Sequence, residues 1–296
     1  MKLFKRELPL HLLLLPSVIA VAIFCYGPII GLVMAFQDFQ PDLGWLYSPF
    51  CGLSNFQVLL LLPGSLQALW NTIYIAFFKG AIGLVFPLIA ALMLNELRFL
   101  GYKKGLQTVL YLPHFISWVI MSGILLDVLS NDGIVNAFLG FFGVQPIFFL
   151  GDNKVFPWVL IISDVWKEFG FNSIVFLAAL TGIDPSYYDA ADVDGAGHLQ
   201  KLWRITLPSL RNMLVMLALI NLGNILNAGF DQVFNLSSPI VQPSGDIIDT
   251  FVYRAGIRDA MYSVAAAAGF FKSFVSLLLL SSAYYLAYKF ADYRIF

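Results

Sequence analysis

Long apolar stretches that contain almost no charged residue restrict this chain more than any other feature. They cover residues 8–37, 43–95, 105–126, 212–230 and 260–288. A bilayer core about 30 Å thick is crossed by about 20 apolar helical residues, so each stretch is long enough to span a membrane. Charged residues make up only 12% of the chain, which is about half of their share in ordinary soluble domains. These observations exclude a soluble enzyme and indicate an all-α membrane protein.

Six transmembrane helices are predicted. Five come from these nearly uncharged stretches, and one comes from a weaker apolar run that Asp164, Lys167 and Glu168 interrupt. The predicted spans are residues 9–36, 66–95, 106–129, 155–182, 211–231 and 260–288. Irregular backbone is not tolerated against lipid, so the uncharged segment 133–150, which contains glycines and a proline, is predicted to form a helix outside the bilayer. The whole chain, residues 1–296, is predicted to be a single transmembrane domain.

The distribution of Lys and Arg predicts the orientation, because these residues accumulate on the cytoplasmic side. With the N-terminus inside, eleven of the 17 lie on the inner side, three on the outer side and three within spans. Both the N- and C-termini are therefore predicted to be cytoplasmic. A net charge of −1 provides no basic surplus for binding nucleic acid. Two cysteines and three histidines without metal-ligand spacing predict no metal site.

The segment that joins the fourth and fifth predicted spans, residues 184–208, faces the cytoplasm in this topology. We call it the elbow. Asp184 is a suitable N-cap and Pro185 suits the first helical turn, so a short helix is predicted to begin there. Gly195 predicts a break, because glycine permits positive φ, and a second short helix is predicted from about residue 196 to residue 204. The elbow is therefore predicted to be a helix–turn–helix at the membrane surface.

Three pieces of the elbow, residues 189–191, 194–196 and 205–208, read Asp-Ala-Ala, Asp-Gly-Ala and Ile-Thr-Leu-Pro. They resemble the EAA motif of binding-protein-dependent ABC importer permeases, in which this loop forms coupling helices that dock in a groove of the ATPase subunit. The resemblance implies that the ATPase-coupling residues are Asp189, Ala190, Ala191, Asp194, Gly195, Ala196, Ile205, Leu207 and Pro208. Asp189 replaces the family's usual Glu and is one methylene shorter, so its cation partner is left open.

Segments 166–170, 224–231 and 245–250 extend the resemblance to the carbohydrate-uptake branch and to its LplB-like oligo- and polysaccharide permeases. The resemblance implies a type I (MetI-like) permease of the bacterial cytoplasmic membrane that moves a sugar, such as an oligosaccharide, by alternating access. The implied partners are a second homologous permease subunit, two ATPase subunits and an extracytoplasmic solute-binding protein. The alternatives are a permease for a non-sugar solute and a stand-alone secondary carrier or channel.

No phosphate-binding loop and no catalytic motif occur in the sequence. The chain is therefore predicted to be a non-catalytic transport subunit with no cofactor of its own. ATP and Mg²⁺ are expected in the partner ATPase subunits.

Polar residues in the fourth span are candidates for a substrate path. A charge at the bilayer centre costs about 2.5–3.5 kcal/mol on insertion scales, so it is expected to face protein or water. Asp164, Glu168 and Asn172 are spaced by four and share one helix face, with Lys167 adjacent. The alternative is an Asp164–Lys167 pair that only holds the helices together.

The fifth span contains a second set of polar residues. These residues are Asn221, Asn224, Asn227 and Asp231. Their spacing of three, three and four predicts one polar stripe on a continuous helix. Amides both donate and accept hydrogen bonds, as sugar hydroxyls do, so the stripe suits a saccharide path. Hydrogen bonding between helices is the competing interpretation.

Overall fold

The computed structural model describes residues 2–97, 99–223 and 225–291, and at 2–9, 286–287 and 290–291 it describes the backbone alone. Regular structure within these ranges is helical, apart from an isolated bridge between Gln37 and Phe50. The α-helices are α1 Lys2–Val21, α2 Gly44–Tyr47, α3 Ser54–Leu61, α4 Ser65–Glu96, α5 Leu100–Tyr111, α6 Trp118–Val128, α7 Ile134–Gly140, α8 Phe156–Thr181, α9 Pro185–Val193, α10 His198–Lys201, α11 Leu207–Ser209, α12 Arg211–Gly223, α13 Phe230–Leu236, α14 Gln242–Gly245, α15 Ile248–Tyr253 and α16 Tyr262–Ala291. The predicted all-α class is confirmed.

Two compact units make up the described chain. The first contains the described residues up to Ser65 together with Phe251–Ser273, and the second contains Leu66–Thr250 and the described residues from Phe274 onward. In the first unit, the buried Asn55 side chain donates hydrogen bonds to two backbone carbonyls, those of Ala35 at 3.0 Å and Gln37 at 2.9 Å. The prediction of a single domain over residues 1–296 stays a prediction.

Among the described residues, three helical segments are long and apolar enough to cross a membrane by length and composition. They are Leu10–Phe36, Ser65–Glu96 and Tyr262–Tyr285. Two bent pairs, Leu100–Phe115 with Trp118–Val128 and His198–Ser209 with Arg211–Gly223, raise the number to five if each pair is one span. Helix α8 has 26 residues, which is long enough for a crossing, but it contains three charged residues. The count of six crossings therefore stays a prediction.

The predicted continuous helix over residues 106–129 is wrong. A 3-10 turn, Leu112–Phe115, follows α5, and α6 then begins at a bend of 102°. Pro113 lies in that turn and has no N–H to continue the α-helical ladder. The Ser117 hydroxyl caps α6 by accepting a hydrogen bond from the Ile120 N–H at 3.4 Å. Proline and an N-cap together therefore start a new helix inside the apolar run.

The predicted continuous helix over residues 211–231 is also wrong. Helix α12 ends at Gly223 and α13 begins at Phe230. Gly229 has φ +94°, which is incompatible with a right-handed helix. Asn221, Asn227 and Asp231, three of the four residues predicted to form one stripe, therefore do not share one helix face, and Asn224 lies outside the described residues. We call the non-helical residues 225–229 the break.

The elbow has the predicted form. Helix α9 begins after Asp184, whose carboxylate accepts a hydrogen bond from the Ser186 N–H at 2.9 Å. Gly195 has φ +72° and forms the predicted turn. The second helix begins at His198, two residues later than predicted, and continues through a π-turn into α11. A hydrogen bond of 2.9 Å between Tyr188 Oη and Thr206 Oγ1 joins the two arms of the elbow.

Segment 133–150 contains a shorter helix than predicted, Ile134–Gly140. The rest of the segment is irregular and is tied back to the helix by the buried Asn136. Its amide donates to the Ile147 carbonyl at 3.0 Å and accepts from the Ile147 N–H at 2.9 Å. The position of this segment outside the bilayer stays a prediction.

Candidate functional site

A polar cavity of about 210 Å³ lies in the second unit, among α4, α8, α12 and the break. Its polar wall is formed by Lys79, Asp164, Glu168, Asn172, Asn221 and Asn227. Helix α8 contributes three of these residues from one face, as their spacing predicts. The break brings Asn227 into the same wall, although α12 has already ended. Five of the eight predicted path residues are therefore together at one cavity.

The other three predicted path residues lie elsewhere or outside the description. Lys167 is only 5% exposed and is absent from the described cavity wall. Asp231 is exposed in the first turn of α13. Asn224 lies outside the described residues. The role of each predicted path residue stays a prediction, but the geometry selects the five that share a wall.

The Lys79 ammonium is at the centre of a buried hydrogen-bond network. It donates to Asp164 Oδ1 at 3.2 Å, to the Ala228 carbonyl at 2.7 Å and to Gln232 Oε1. Gln232 is fully buried, and its Nε2 donates to the Leu160 carbonyl and to Ser163 Oγ, both at 2.8 Å. An ammonium has three N–H donors, so these three acceptors use its full capacity.

The second pair of charges is also satisfied by the protein. Lys167 donates to Glu168 Oε1 at 2.9 Å and to the His114 carbonyl at 2.8 Å. Glu168 Oε2 lies 2.6 Å from His114 Nδ1, and the His114 ring stacks on Phe171 with centroids 3.9 Å apart. The alternative of an Asp164–Lys167 pair is therefore wrong, because each of these charges has a different partner. This cluster ties the bent third predicted span to α8.

The sequence did not identify Gln232, although it is the most buried polar residue of the network. Nothing in its immediate sequence distinguishes it from a surface glutamine. The useful signal is Lys79, a lone cation in an apolar run of 53 residues, 43–95. Such a charge needs partners from other helices, and Asp164 and Gln232 are 85 and 153 residues away in the sequence.

The elbow encloses a depression of about 800 Å³ on the surface of the second unit. Six of the nine predicted coupling residues line it, namely Ala190, Ala191, Asp194, Ala196, Ile205 and Pro208. Asp189 is exposed on α9, Gly195 forms the turn and Leu207 begins α11. Large apolar side chains at Val193 and Trp203 are 89% and 69% exposed. A depression lined by small residues, on an elbow that also exposes large apolar side chains, is suited to a protein partner.

Residues 83–292 match the protein family described as "Binding-protein-dependent transport system inner membrane component". The chain belongs to this family. It is therefore a multi-pass inner-membrane permease subunit of an ABC importer, which is a component of transport and not an enzyme. Its fold is the type I (MetI-like) permease fold that the resemblance implied.

Similar proteins support this assignment along the whole chain. The "Polygalacturonan/rhamnogalacturonan transport system permease protein YteP" of Bacillus subtilis (strain 168) is 39% identical over 97% of this chain and 90% of its own length. Protein LplB of the same organism is 37% identical over 100% of this chain and 93% of its own. A solved structure of a bacterial ABC transporter involved in the import of the acidic polysaccharide alginate has a TM-score of 0.89 and 38% identity, covering 98% of both chains.

Proposed function

We propose that this permease imports a saccharide, such as an oligosaccharide, by alternating access and that the polar cavity is part of its path. The carrying observation is the concentration of amides and carboxylates on one cavity wall within predicted membrane spans. Sugar hydroxyls both donate and accept hydrogen bonds, and Asn172, Asn221 and Asn227 offer both kinds of group. The import of polygalacturonan and alginate by systems that contain its relatives supports a saccharide over other solutes.

The cargo test uses the assembled transporter in proteoliposomes with galacturonan, alginate and maltose oligosaccharides. The double variant Asn172→Leu/Asn221→Leu removes two amides from the cavity wall. We expect it to reduce saccharide uptake by about thirtyfold, since each lost hydrogen bond to a ligand costs about 1 kcal/mol, while all subunits still co-purify. Ser282→Leu, a similar change on the exposed surface of α16, is the control. If the double variant takes up saccharide as fast as the wild type, the cavity is not part of the transport path. If the wild type takes up none of the three kinds of oligosaccharide, the proposal that the cargo is a saccharide is wrong.

The proposed assembly contains this chain, a second homologous permease subunit, two ATPase subunits that bind ATP and Mg²⁺, and an extracytoplasmic binding protein that delivers the saccharide. A related transporter has been solved "in complex with alginate pentasaccharide-bound periplasmic protein", which supports the last partner. The depression of the elbow supports docking of an ATPase subunit there. A ligand shifts a conformational equilibrium only by binding its states unequally, so the elbow must contact the ATP-bound and ATP-free ATPases differently.

Two glycines of the same geometry allow a matched test of docking at the elbow. Gly195 and Gly143 have φ +72° and +75°, and a Cβ at either position would meet nothing within 4 Å. Aspartate tolerates this backbone region better than most residues, so Gly195→Asp and Gly143→Asp impose similar local costs. We expect only Gly195→Asp, which places charge and bulk at the turn, to abolish co-purification of the ATPase subunits. Normal co-purification of that variant would refute docking at this surface.

A further inference from the structure

The break leaves a buried carbonyl group without its helical hydrogen bond. Helix α12 ends at Gly223 and α13 begins at Phe230, and residues 225–229 are not in a regular helix. Ala228 lies in the break and is 0% exposed, and a buried carbonyl requires a donor. The Lys79 ammonium is that donor, at 2.7 Å. This contact is shorter than the 3.2 Å ion pair of the same ammonium with Asp164.

The same ammonium connects the break to two neighbouring helices. Through Asp164 it reaches α8, and through Gln232 it reaches the first turn of α13. Gln232 extends the connection, since its amide donates to the Leu160 carbonyl and to Ser163 Oγ on α8. One cation on α4 therefore joins α8, the break and α13, and its contacts with the break and with α13 are buried.

Gly229 indicates that the break is built around this cation. A Cβ at position 229 would lie 3.0 Å from Lys79 Nζ and 3.5 Å from Gln232 Oε1. The backbone φ of +94° also disfavours any side chain there. Gly229 and Asn227 both line the polar cavity. A side chain that holds the break in place therefore also determines the position of this part of the cavity wall.

We propose that Lys79 is a positioning residue for transport: its ammonium holds the break, and with it the cavity wall, and donates no hydrogen bond to the transported molecule. All three of its donors are used by Asp164, Ala228 and Gln232, so it has none for an anionic cargo. The effect on transport rests on the proposed path through this cavity, whereas the effect on the break does not.

The test compares hydrogen exchange of residues 225–236 in the assembled wild-type transporter with that in Lys79→Met and Asp164→Asn. Methionine leaves Ala228 and Gln232 without this donor, so we expect exchange of the segment to rise by about tenfold or more. Asparagine at 164 keeps an acceptor for the ammonium, so we expect a much smaller rise. Helix α7 is the internal control, because general destabilisation would raise its exchange as well.

A second pair of variants makes the test independent of Lys79 itself, should Lys79→Met fail to assemble. Gly229→Ala displaces the ammonium and Gly143→Ala imposes positive-φ strain with open space around its Cβ. We expect only Gly229→Ala to raise exchange in residues 225–236. Unchanged exchange of that segment in both Lys79→Met and Gly229→Ala, or an equal rise in α7, would overturn the proposal.

Uptake of galacturonan oligomers separates this proposal from the proposed function. We expect Lys79→Met to raise the KM for uptake by about tenfold and Ser282→Leu on the exposed surface of α16 to leave it unchanged, because only the first change releases the cavity wall. If the wild type takes up no oligosaccharide, the proposed function fails, and exchange alone still decides whether Lys79 holds the break. If exchange rises but KM does not, Lys79 is only structural and the transport role is refuted.

Discussion

Substituting Gly170 by alanine tests a close approach of α5 and α8. A Cβ at Gly170 would lie 2.0 Å from the Leu110 carbonyl oxygen and 2.5 Å from its carbonyl carbon. Both atoms belong to backbone, so no side-chain rotation relieves the overlap, and the helices must separate by about 1 Å. A gap of that size forfeits about a quarter to a half of the dispersion energy of the contacts that it opens.

The size of the effect follows from two opposed terms. Overpacking costs about 1–3 kcal/mol, and the backbone clash places Gly170→Ala at the upper end. Replacing glycine by alanine inside a helix stabilises the folded protein by about 1 kcal/mol, because alanine has the higher helix propensity. The expected net loss is therefore about 2 kcal/mol. Gly123→Ala on α6 is the matched control, because its Cβ would meet nothing within 4 Å and only the favourable term remains.

Thermal unfolding of the purified transporter measures the difference between these two variants. We expect Gly170→Ala to unfold at a lower temperature than the wild type and Gly123→Ala at the same or a higher temperature. Uptake is expected to fall in Gly170→Ala as well, because the turn that follows α5 carries His114, which contacts Glu168 of the cavity wall. A Gly170→Ala transporter that unfolds at or above the wild-type temperature would refute the close approach of α5 and α8.

Two further substitutions test local contacts. Asn55→Ala leaves two carbonyl acceptors without the amide donor and is expected to destabilise the first unit by about 1–3 kcal/mol; an unchanged melting curve of the purified transporter would contradict this. Hydrogen bonds from the backbone and side chain of Ser186 hold the pKa of Asp184 below its usual range, so its cap stabilises α9 above the ordinary carboxyl pKa and is lost as the pH falls through the lowered one. Asp184→Ala should therefore speed amide exchange of α9 at pH 7, relative to the wild type, and this difference should shrink on acidification; a difference that grows would contradict the cap.

The elbow was predictable because its structure depends on neighbours in the sequence. An aspartate cap, a proline in the first turn and a glycine at positive φ act within a few residues of each other. The start of the second helix was misplaced by two residues, which is within the usual uncertainty of helix ends. The resemblance to the permease family rested on the same segment and is confirmed by the family match.

Two of the predicted spans show where the apolar pattern stops being informative. The pattern correctly predicted apolar helical segments but not the bend at Ile116–Ser117 or the break. The length of an apolar run indicates whether a segment is stable in lipid. It does not indicate whether a side chain from another helix can form the hydrogen bonds that an interrupted backbone lacks. The break has such a neighbour in Lys79, whose partner carbonyl at Ala228 is 149 residues away.

Composition alone indicated that the chain lies in lipid and is helical, and short-range backbone chemistry predicted the form of the elbow. The family was indicated by the resemblance of the elbow motif and the flanking segments, and the family match confirmed it. Only the tertiary structure decided which charges pair, where the fifth predicted span is interrupted and which polar residues share the cavity wall. A buried charge or carbonyl group is stable only with a hydrogen-bond or charge partner. That partner can be far away in the sequence, so the sequence does not show which residue it is.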